Sequence, residues 1–266
     1  MACGLIHYNL PDLKTLDDFF EFAAQTGFDA VELMPGDVWP AGEESPEARA
    51  EQIREQAEAA GIRICALGAG NNFARPDAEE IQRQVRRMER ISRLAKILGA
   101  PVVRTEASCF ARDEPPYEKS MEANLRGLKR CLDFIERDRI VLAVDNHSFL
   151  TNDGDRQVHI LKEMDSPYVA ATMDTMNYRF AGHDLDTVAR FYETVAPHAR
   201  HTHIKDGTGV LDDYRGRVLG EGEIDIPGAV QTLKNAGYPG VWCIEYEGRE
   251  GSVGYAKCLQ RLKELV

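Results

Sequence analysis

The sequence predicts a single (β/α)₈ barrel that spans residues 1–266. Its length suits one α/β barrel of about 250 residues. Eight short apolar runs alternate with longer amphipathic ones, a pattern typical of strand–helix units in a barrel or a doubly wound sheet. The first run ends in His7-Tyr8-Asn9-Leu10-Pro11, without the glycine-rich turn that opens a dinucleotide-binding sheet. The barrel is therefore favoured.

The bounds of the first four strand–helix units are predicted from candidate helix caps and from glycines that end helices. Thr15 or Asp17 can cap the first helix, and Gly27, Gly61 and Gly99 end the first three long helices. The predicted strands are 2–9, 29–34, 62–67 and 101–105, and the predicted helices are 16–26, 47–60 and 77–98.

The second half repeats this alternation. Its strands come from the runs 140–147, 169–177, 200–207 and 241–248, and its helices are predicted at 117–137, 156–164, 184–195, 226–236 and 253–265. Two connections, 35–46 and 207–225, are longer than usual. Because loops after strands lie on the catalytic face of a barrel, each is either a substrate lid or a tolerated surface insertion.

The composition restricts the partners. A net charge of −12 and a pI near 5.1, with no basic patch, argue against a nucleic acid. No signal peptide and no apolar run of membrane-spanning length are recognised, so no membrane partner is expected. Six cysteines without a C-x-x-C pair fit neither a disulfide framework nor a zinc site. We expect a cytoplasmic protein, and a homo-oligomer remains open.

Polar residues end the four apolar runs of the second half. Neighbouring strands of one parallel barrel would bring Asp145, Asp174, His203 and Glu245 together at its C-terminal mouth. Three carboxylates and one imidazole predict a divalent metal site, with Mn²⁺, Mg²⁺ or Co²⁺ favoured and Zn²⁺ as an alternative.

The chain resembles the xylose isomerase-like TIM-barrel family of sugar isomerases and epimerases, which shares its fold with AP endonuclease family 2. The resemblance covers nearly the whole chain. It is carried by the segments GFDAVEL (27–33), VDNH (144–147), MDTMN (173–177), HTHIKDG (201–207), GEGEIDIP (220–227) and IEYEG (244–248).

The resemblance implies one divalent metal, Mn²⁺ first, held by Asp145, Asp174, His203 and Glu245. Asp145 stands where the family usually has glutamate and is one methylene shorter. The implied reaction moves a proton through an enediolate of a carbohydrate, with Asp145 and Glu245 as the acid–base pair. His147, on the same side of its strand, could cover the shorter reach, and His201 is expected one layer deeper in a structural role.

The remaining assignments concern the substrate. His147, Asn177, Arg217 and His7 are predicted to contact it. For Arg217 the alternative is a solvated arginine in the lid. Glu32 and Trp39 could also contact the substrate, and their alternatives are a structural hydrogen-bond partner and a loop anchor, respectively.

Three other functions remain open. The runner-up is an inosose-type dehydratase, a lyase working on the same metal site. A non-catalytic sugar-binding module would keep the metal, and the short Asp145 mildly favours it, whereas the intact Glu245 argues against it. An AP endonuclease-like nuclease is disfavoured by the charge and by strands three and four, which end without histidine.

Overall fold

The computed structural model describes residues 1–107 and 116–266, and it has the predicted barrel. Eight parallel strands form its wall in the order β10-β1-β2-β3-β4-β5-β6-β7. Ile204, directly after β7, bridges Ile244 of β10 in parallel and so joins the two ends of the sheet. The wall strands are β1 Cys3–Ile6, β2 Ala30–Leu33, β3 Arg63–Gly68, β4 Val102–Thr105, β5 Val141–Asp145, β6 Val169–Asp174, β7 Ala199–His203 and β10 Trp242–Ile244.

Helices surround this wall, and side chains cap several of them as expected. Thr15 forms a capping box with Asp18 at the start of α1, and an aspartate side chain caps each of α4, α7, α9 and α10. The helices are α1 Leu16–Thr26, α2 Pro35–Val38, α3 Pro46–Ala59, α4 Ala78–Leu98, α5 Tyr117–Lys129, α6 Leu132–Asp138, α7 Gly154–Met164, α8 Asn177–Phe180, α9 Leu185–Val195, α10 Ile226–Asn235 and α11 Gly251–Lys263.

The predicted helix 117–137 is two helices. The backbone N–H of Cys131 donates to the carbonyl of Leu128, three residues back, and this tighter turn interrupts the helical ladder between α5 and α6. Cys109 lies outside the described residues, and the other five cysteines are free and buried. Within 1–107 and 116–266, no helix is both long and apolar enough to cross a bilayer.

The two long connections are folded and attached to the barrel. The first contains α2 and Trp39, whose ring lies 5.3 Å from the Arg87 guanidinium and 4.7 Å from that of Arg90 on α4. These contacts support the loop-anchor alternative for Trp39. The second connection contains a hairpin of two short antiparallel strands, β8 Asp206–Thr208 and β9 Arg215–Arg217.

Strand register sets the depth of the polar residues at the mouth. Asp174 on β6 pairs with His203 on β7, so the two side chains stand at the same level. Asp145 at the end of β5 pairs with Thr172, two residues before Asp174 along β6. The ends of β5, β6, β7 and β10 therefore bring the predicted residues to one end of the barrel.

Candidate metal centre at the barrel mouth

Asp174 has one carboxylate oxygen fixed and the other free. Oδ1 accepts the backbone N–H groups of Met176 and Asn177 at 2.7 and 2.9 Å. The side chain of Asn146 pairs with the backbone of Asp174 on both sides, at 2.9 and 3.0 Å. Oδ2 is buried and has no hydrogen-bond partner. The turn after β6 thus leaves one buried oxygen without a hydrogen bond, 3.8 Å from both Nδ1 of His203 and Nζ of Lys205.

His203 follows the same arrangement. Its Nε2 lies 2.8 Å from Oε2 of Glu32, which also lies 2.6 Å from Nε2 of His201. Nδ1 of His203 is buried and makes no hydrogen bond, although Oε2 of Glu245 lies 2.8 Å away and Oδ2 of Asp174 lies 3.8 Å away. Because Nε2 donates to Glu32, Nδ1 is the nitrogen left to bind a metal.

Glu245 is the least constrained of the four predicted ligands. Its side chain is 11% exposed, whereas those of Asp174 and His203 are fully enclosed. Oε2 faces Nδ1 of His203, and Oε1 lies 3.4 Å from Nζ of Lys205. One oxygen therefore faces the other candidate ligands, and the second lies beside the lysine.

Asp145 is held by an arginine that the sequence reasoning did not identify. Nη1 of Arg104 donates to Oδ2 of Asp145 at 2.8 Å and to Oε1 of Glu106 at 3.0 Å. Nε of Arg104 donates to Oε1 of Glu32 at 2.6 Å. Oδ1 of Asp145 is buried without a hydrogen-bond partner. A charge inside the apolar run PVVRT was the available signal, because a buried arginine requires partners.

The donor atoms of Asp174, His203 and Glu245 all lie within 4.8 Å of one another, and Asp145 does not belong to this group. Ligand atoms that share one ion lie about 3 Å apart at metal–ligand distances near 2.1 Å. The 2.8 and 3.8 Å separations from Nδ1 of His203 bracket that value. Two buried atoms without hydrogen bonds and the partly exposed carboxylate of Glu245 therefore fit a divalent metal, and Asp145 stands outside this group.

Buried charges in the centre perturb its proton affinities. Burial raises the pKa of Asp174 to about 6, and Glu245 acts in the same direction while Lys205 opposes it. Burial alone would lower the pKa of His203, but Glu32 and Glu245 outweigh it and hold that pKa well above the usual range. Without a metal, the carboxylates thus retain protonated neighbours in place of a dication.

A small polar pocket opens beside these residues. It has a volume of about 280 Å³ and is lined by Tyr8, Asn9, His147, Asn177, Phe180, Lys205, Tyr214 and Glu247. Nζ of Lys205 lies 3.0 Å from Oε2 of Glu247 and 3.4 Å from Oδ1 of Asn177. The pocket combines hydrogen-bonding groups with three aromatic rings, a lining suited to a small polyhydroxylated molecule.

The structure brings some predicted substrate residues together and separates others. His147 and Asn177 both line the pocket, and their side chains lie 3.4 Å apart. Arg217 is exposed on β9 and lines an adjoining groove. His7 bonds to Asp37 at 2.9 Å and lines a third cavity, away from Lys205 and Asn177. The other lining residues reach the pocket through loop packing, which strand patterns do not predict. They are Lys205, Glu247, Tyr8, Asn9, Phe180 and Tyr214.

A second set of potential ligands lies deeper in the barrel. Donor atoms of Glu32, His201, His203 and Cys243 also lie within 4.8 Å of one another. The hydrogen bonds of Glu32 already engage both imidazoles, and burial raises the pKa of the Cys243 thiol well above its usual value. The group at the mouth is therefore the better fit to a divalent metal. A larger cavity of about 640 Å³ opens at the opposite end of the barrel, remote from Asp174 and Glu245.

Asp206 organises the hairpin that follows the ligand histidine. Its carboxylate accepts four backbone N–H groups, those of Gly207, Gly220, Gly222 and Ile224, at 2.8 to 3.2 Å. A Cβ at Gly222 would collide with this carboxylate, so only glycine fits there. The segment GEGEID is thereby explained as a structural loop that positions Tyr214 and Lys205 at the pocket.

This geometry belongs to a known class of barrel. A sequence model of the xylose isomerase-like TIM barrel family matches residues 20–265, and the chain is a member of that family.

Particular relatives are similar over nearly their whole length. The human putative hydroxypyruvate isomerase is 24% identical over 262 residues, which cover 91% of this chain and 88% of the human protein. D-Psicose 3-epimerase from Clostridium cellulolyticum H10, solved with D-tagatose, superposes with a TM-score of 0.81 at 15% identity, covering 100% and 99% of the two chains. The IOLI protein, whose crystal structure holds a zinc atom, gives a TM-score of 0.81 at 16% identity, covering 100% and 98%.

Proposed function

We propose that this protein is a divalent-metal-dependent isomerase or epimerase that acts on a small carbohydrate through an enediolate. One observation carries the proposal. Asp174 and His203 each have one atom fixed by the protein and one buried atom unpaired, and both unpaired atoms face Glu245. Oδ2 of Asp174 is a buried acceptor without a hydrogen bond, which is costly, and a divalent cation in place of the imidazole proton would neutralise Asp174 and Glu245 together.

The donor set limits the ion. Two carboxylate oxygens and one imidazole nitrogen suit Mn²⁺, with Mg²⁺, Co²⁺ and Zn²⁺ as alternatives. When bound, such an ion would polarise a substrate carbonyl and stabilise the negative charge that develops on its oxygen. We assign it to Asp174, His203 and Glu245, whereas Asp145, the fourth predicted ligand, stands outside this group and is held by Arg104.

The chain's own residues supply the remaining chemistry. Glu245 is the proposed base, because it is the only one of the four predicted ligands with appreciable exposure and lies beside the pocket through Lys205. Lys205 and Asn177 would hold substrate oxygens, and His147 would contact a neighbouring hydroxyl. Asp145 is the second carboxylate of the predicted acid–base pair, and its position decides which product forms.

The relatives support the same chemistry. The human relative is described as a putative hydroxypyruvate isomerase, and similar folds include a D-psicose 3-epimerase. Isomerisation and epimerisation both begin with removal of a proton next to a carbonyl group. The proposed partner is a carbohydrate substrate, and the proposed location of the protein is the cytoplasm.

Deuterium exchange tests the proposal. Protein freed of metal and then loaded with Mn²⁺ is incubated in deuterated water with D-fructose, D-tagatose, hydroxypyruvate or an inosose. We expect metal-dependent incorporation of deuterium into carbon for at least one probe, and its loss in Glu245→Gln with the fold retained by circular dichroism. Loss of water from the inosose would instead identify a dehydratase. No exchange with any probe would leave a binding module, and wild-type rates in Glu245→Gln would remove that residue from the mechanism.

A further inference from the structure

The most unusual feature of the mouth is the buried arginine beneath it, Arg104. The side chain of Arg104 is 5% exposed and bonds simultaneously to Glu32, Glu106 and Asp145. The two residues at the centre of this network, Glu32 and Asp145, are at most 1% exposed. A guanidinium in such a network is a rigid fork that sets the direction of each carboxylate bound to it.

Two observations separate Asp145 from the reacting position. Oδ2 is occupied by Arg104 at 2.8 Å. Asp145 also stands outside the group of donor atoms formed by Asp174, His203 and Glu245.

Glu245 differs on both points. No arginine and no backbone N–H in the described part of the chain holds its carboxylate, its side chain is 11% exposed, and Oε1 lies beside the pocket residue Lys205. The two carboxylates of the predicted acid–base pair are therefore not equivalent. Arg104 holds the carboxylate of Asp145, whereas the carboxylate of Glu245 lies between His203 and Lys205 at the mouth.

We infer that Arg104 is a positioning residue that withdraws Asp145 from proton transfer, so that Glu245 is the sole carboxylate base and the reaction is a same-face 1,2-isomerisation. This inference rests on the proposed function and specifies its reaction type. Inversion of a carbon requires removal of the proton from one face and its return from the other, which takes two groups. A single base returns the proton to the face from which it came.

The proton and electron balance is internal to the substrate. Glu245 takes the proton from the hydroxyl-bearing carbon, and the C–H electron pair forms the C=C bond of the enediolate while the carbonyl π pair moves to its oxygen. The proton then returns to the former carbonyl carbon, and the hydroxyl proton passes to the oxygen of that carbon. One carbon is oxidised to a carbonyl and its neighbour is reduced, so no external oxidant or reductant takes part.

The position of the label in D-fructose tests the inference with the wild-type protein. A single-base 1,2-isomerase loaded with Mn²⁺ places deuterium at C-1 of the ketose and at C-2 of an aldohexose. Formation of tartronate semialdehyde from hydroxypyruvate supports the inference equally. Deuterium at C-3 together with D-allulose overturns the inference and leaves the proposed function intact. No deuterium in any probe removes both.

Variants separate the two carboxylates. Glu245→Gln is expected to lose about 10²–10⁴ in exchange rate, the usual contribution of a general base, and Asp145→Asn about tenfold or less. Equal losses in both variants overturn the inference. Binding of Co²⁺ gives a readout independent of turnover: its visible absorption should keep its band positions in Asp145→Asn and shift in Asp174→Asn. A shift in Asp145→Asn would place Asp145 in the reacting centre.

Arg104→Lys tests the positioning role directly. Lysine keeps the charge but cannot hold two carboxylates in a fixed fork, so Asp145 is released. We expect the ratio of C-3 to C-1 deuteration to rise at least threefold, with folding checked by circular dichroism. An unchanged ratio in folded protein overturns the role of Arg104. The exposed pair Arg190–Asp155 offers a matched control, Arg190→Lys, which should leave the ratio unchanged.

Discussion

Oε2 of Glu32 on β2 lies 2.8 Å from Nε2 of His203 on β7, across the interior of the barrel. The same carboxylate holds Arg104 through its other oxygen at 2.6 Å. Burial would raise the pKa of Glu32, but Arg104 and the two imidazoles outweigh it and keep that pKa well below its usual value. Glu32 thus orients His203, a proposed metal ligand, and at the same time neutralises the Arg104 guanidinium.

Replacement of Glu32 should therefore affect both the metal and the fold. We expect Glu32→Gln to weaken metal affinity about 10- to 100-fold, as loss of a carboxylate behind a ligand histidine does. Removal of one partner from the buried ion pair should also lower the free energy of unfolding by about 3–5 kcal/mol. Calorimetric metal titration and urea denaturation measure the two effects. The control is Glu106→Gln, whose side chain also bonds Arg104 but is 26% exposed, with an expected loss of at most about 1 kcal/mol.

A substitution at Asp174 should weaken metal binding without disrupting the turn after β6. An asparagine at 174 can still accept the N–H groups of Met176 and Asn177 through its oxygen, while its amide nitrogen replaces the free Oδ2. We expect Asp174→Asn to lower metal affinity at least tenfold and to change the melting temperature of the metal-free protein little. Asp145→Asn should lower the affinity less, because Asp145 lies outside the group of donor atoms. The reverse order of the two affinities would contradict the assignment.

Metal binding should depend on pH in a defined direction. The raised pKa of His203 means that its imidazole is protonated in the metal-free protein at neutral pH, so binding at Nδ1 must release that proton. Below about pH 6 Asp174 is protonated as well, and a second proton must leave. The affinity should therefore increase with pH over the neutral range and fall more steeply below pH 6.

Calorimetry in buffers of different ionisation enthalpy counts these protons. About one proton should be released per metal near pH 7, and more than one near pH 5. A release of zero at pH 7 would show that His203 is already neutral before the metal binds.

The hairpin after β7 should depend on the glycine next to Asp206. Gly222→Ala places a Cβ against the Asp206 carboxylate and should cost about 1–3 kcal/mol of stability, as overpacking does. It should also speed hydrogen exchange at the N–H groups of Gly207 and Gly220, which Asp206 accepts. Gly36→Ala is the control, because its Cβ meets no atom within 4 Å and the substitution should change stability by about 0.5 kcal/mol or less. Equal behaviour of the two variants would refute the structural role of Asp206.

The fold was predictable because its signals are local. Apolar runs, together with the caps and glycines that bound the helices between them, located all eight strands. The polar residues after four of these strands indicated one end of a barrel. The Arg104 network was not predictable in the same way. Its partners Glu32 and Asp145 lie 72 and 41 residues away along the chain, and they meet only after the barrel closes.

The pocket shows the same limit. Asn177 and His147 follow strands and were identified, whereas Glu247, Tyr214 and Phe180 come from loops and a short helix with no periodic pattern. Trp39 illustrates the ambiguity of an aromatic residue in a long loop, since its partners Arg87 and Arg90 belong to a helix that begins only at Ala78. Tertiary packing, rather than local preference, determines these positions.

The fixed atoms of Asp174 and His203 have a consequence for the order of events in the cell. Backbone amides hold Oδ1 of Asp174 and Glu32 holds Nε2 of His203, so protein contacts alone orient these two side chains. The polypeptide can complete its folding first and acquire its ion afterwards from whatever supply surrounds it. Cellular availability, as much as intrinsic preference, would then decide which ion the newly made protein carries.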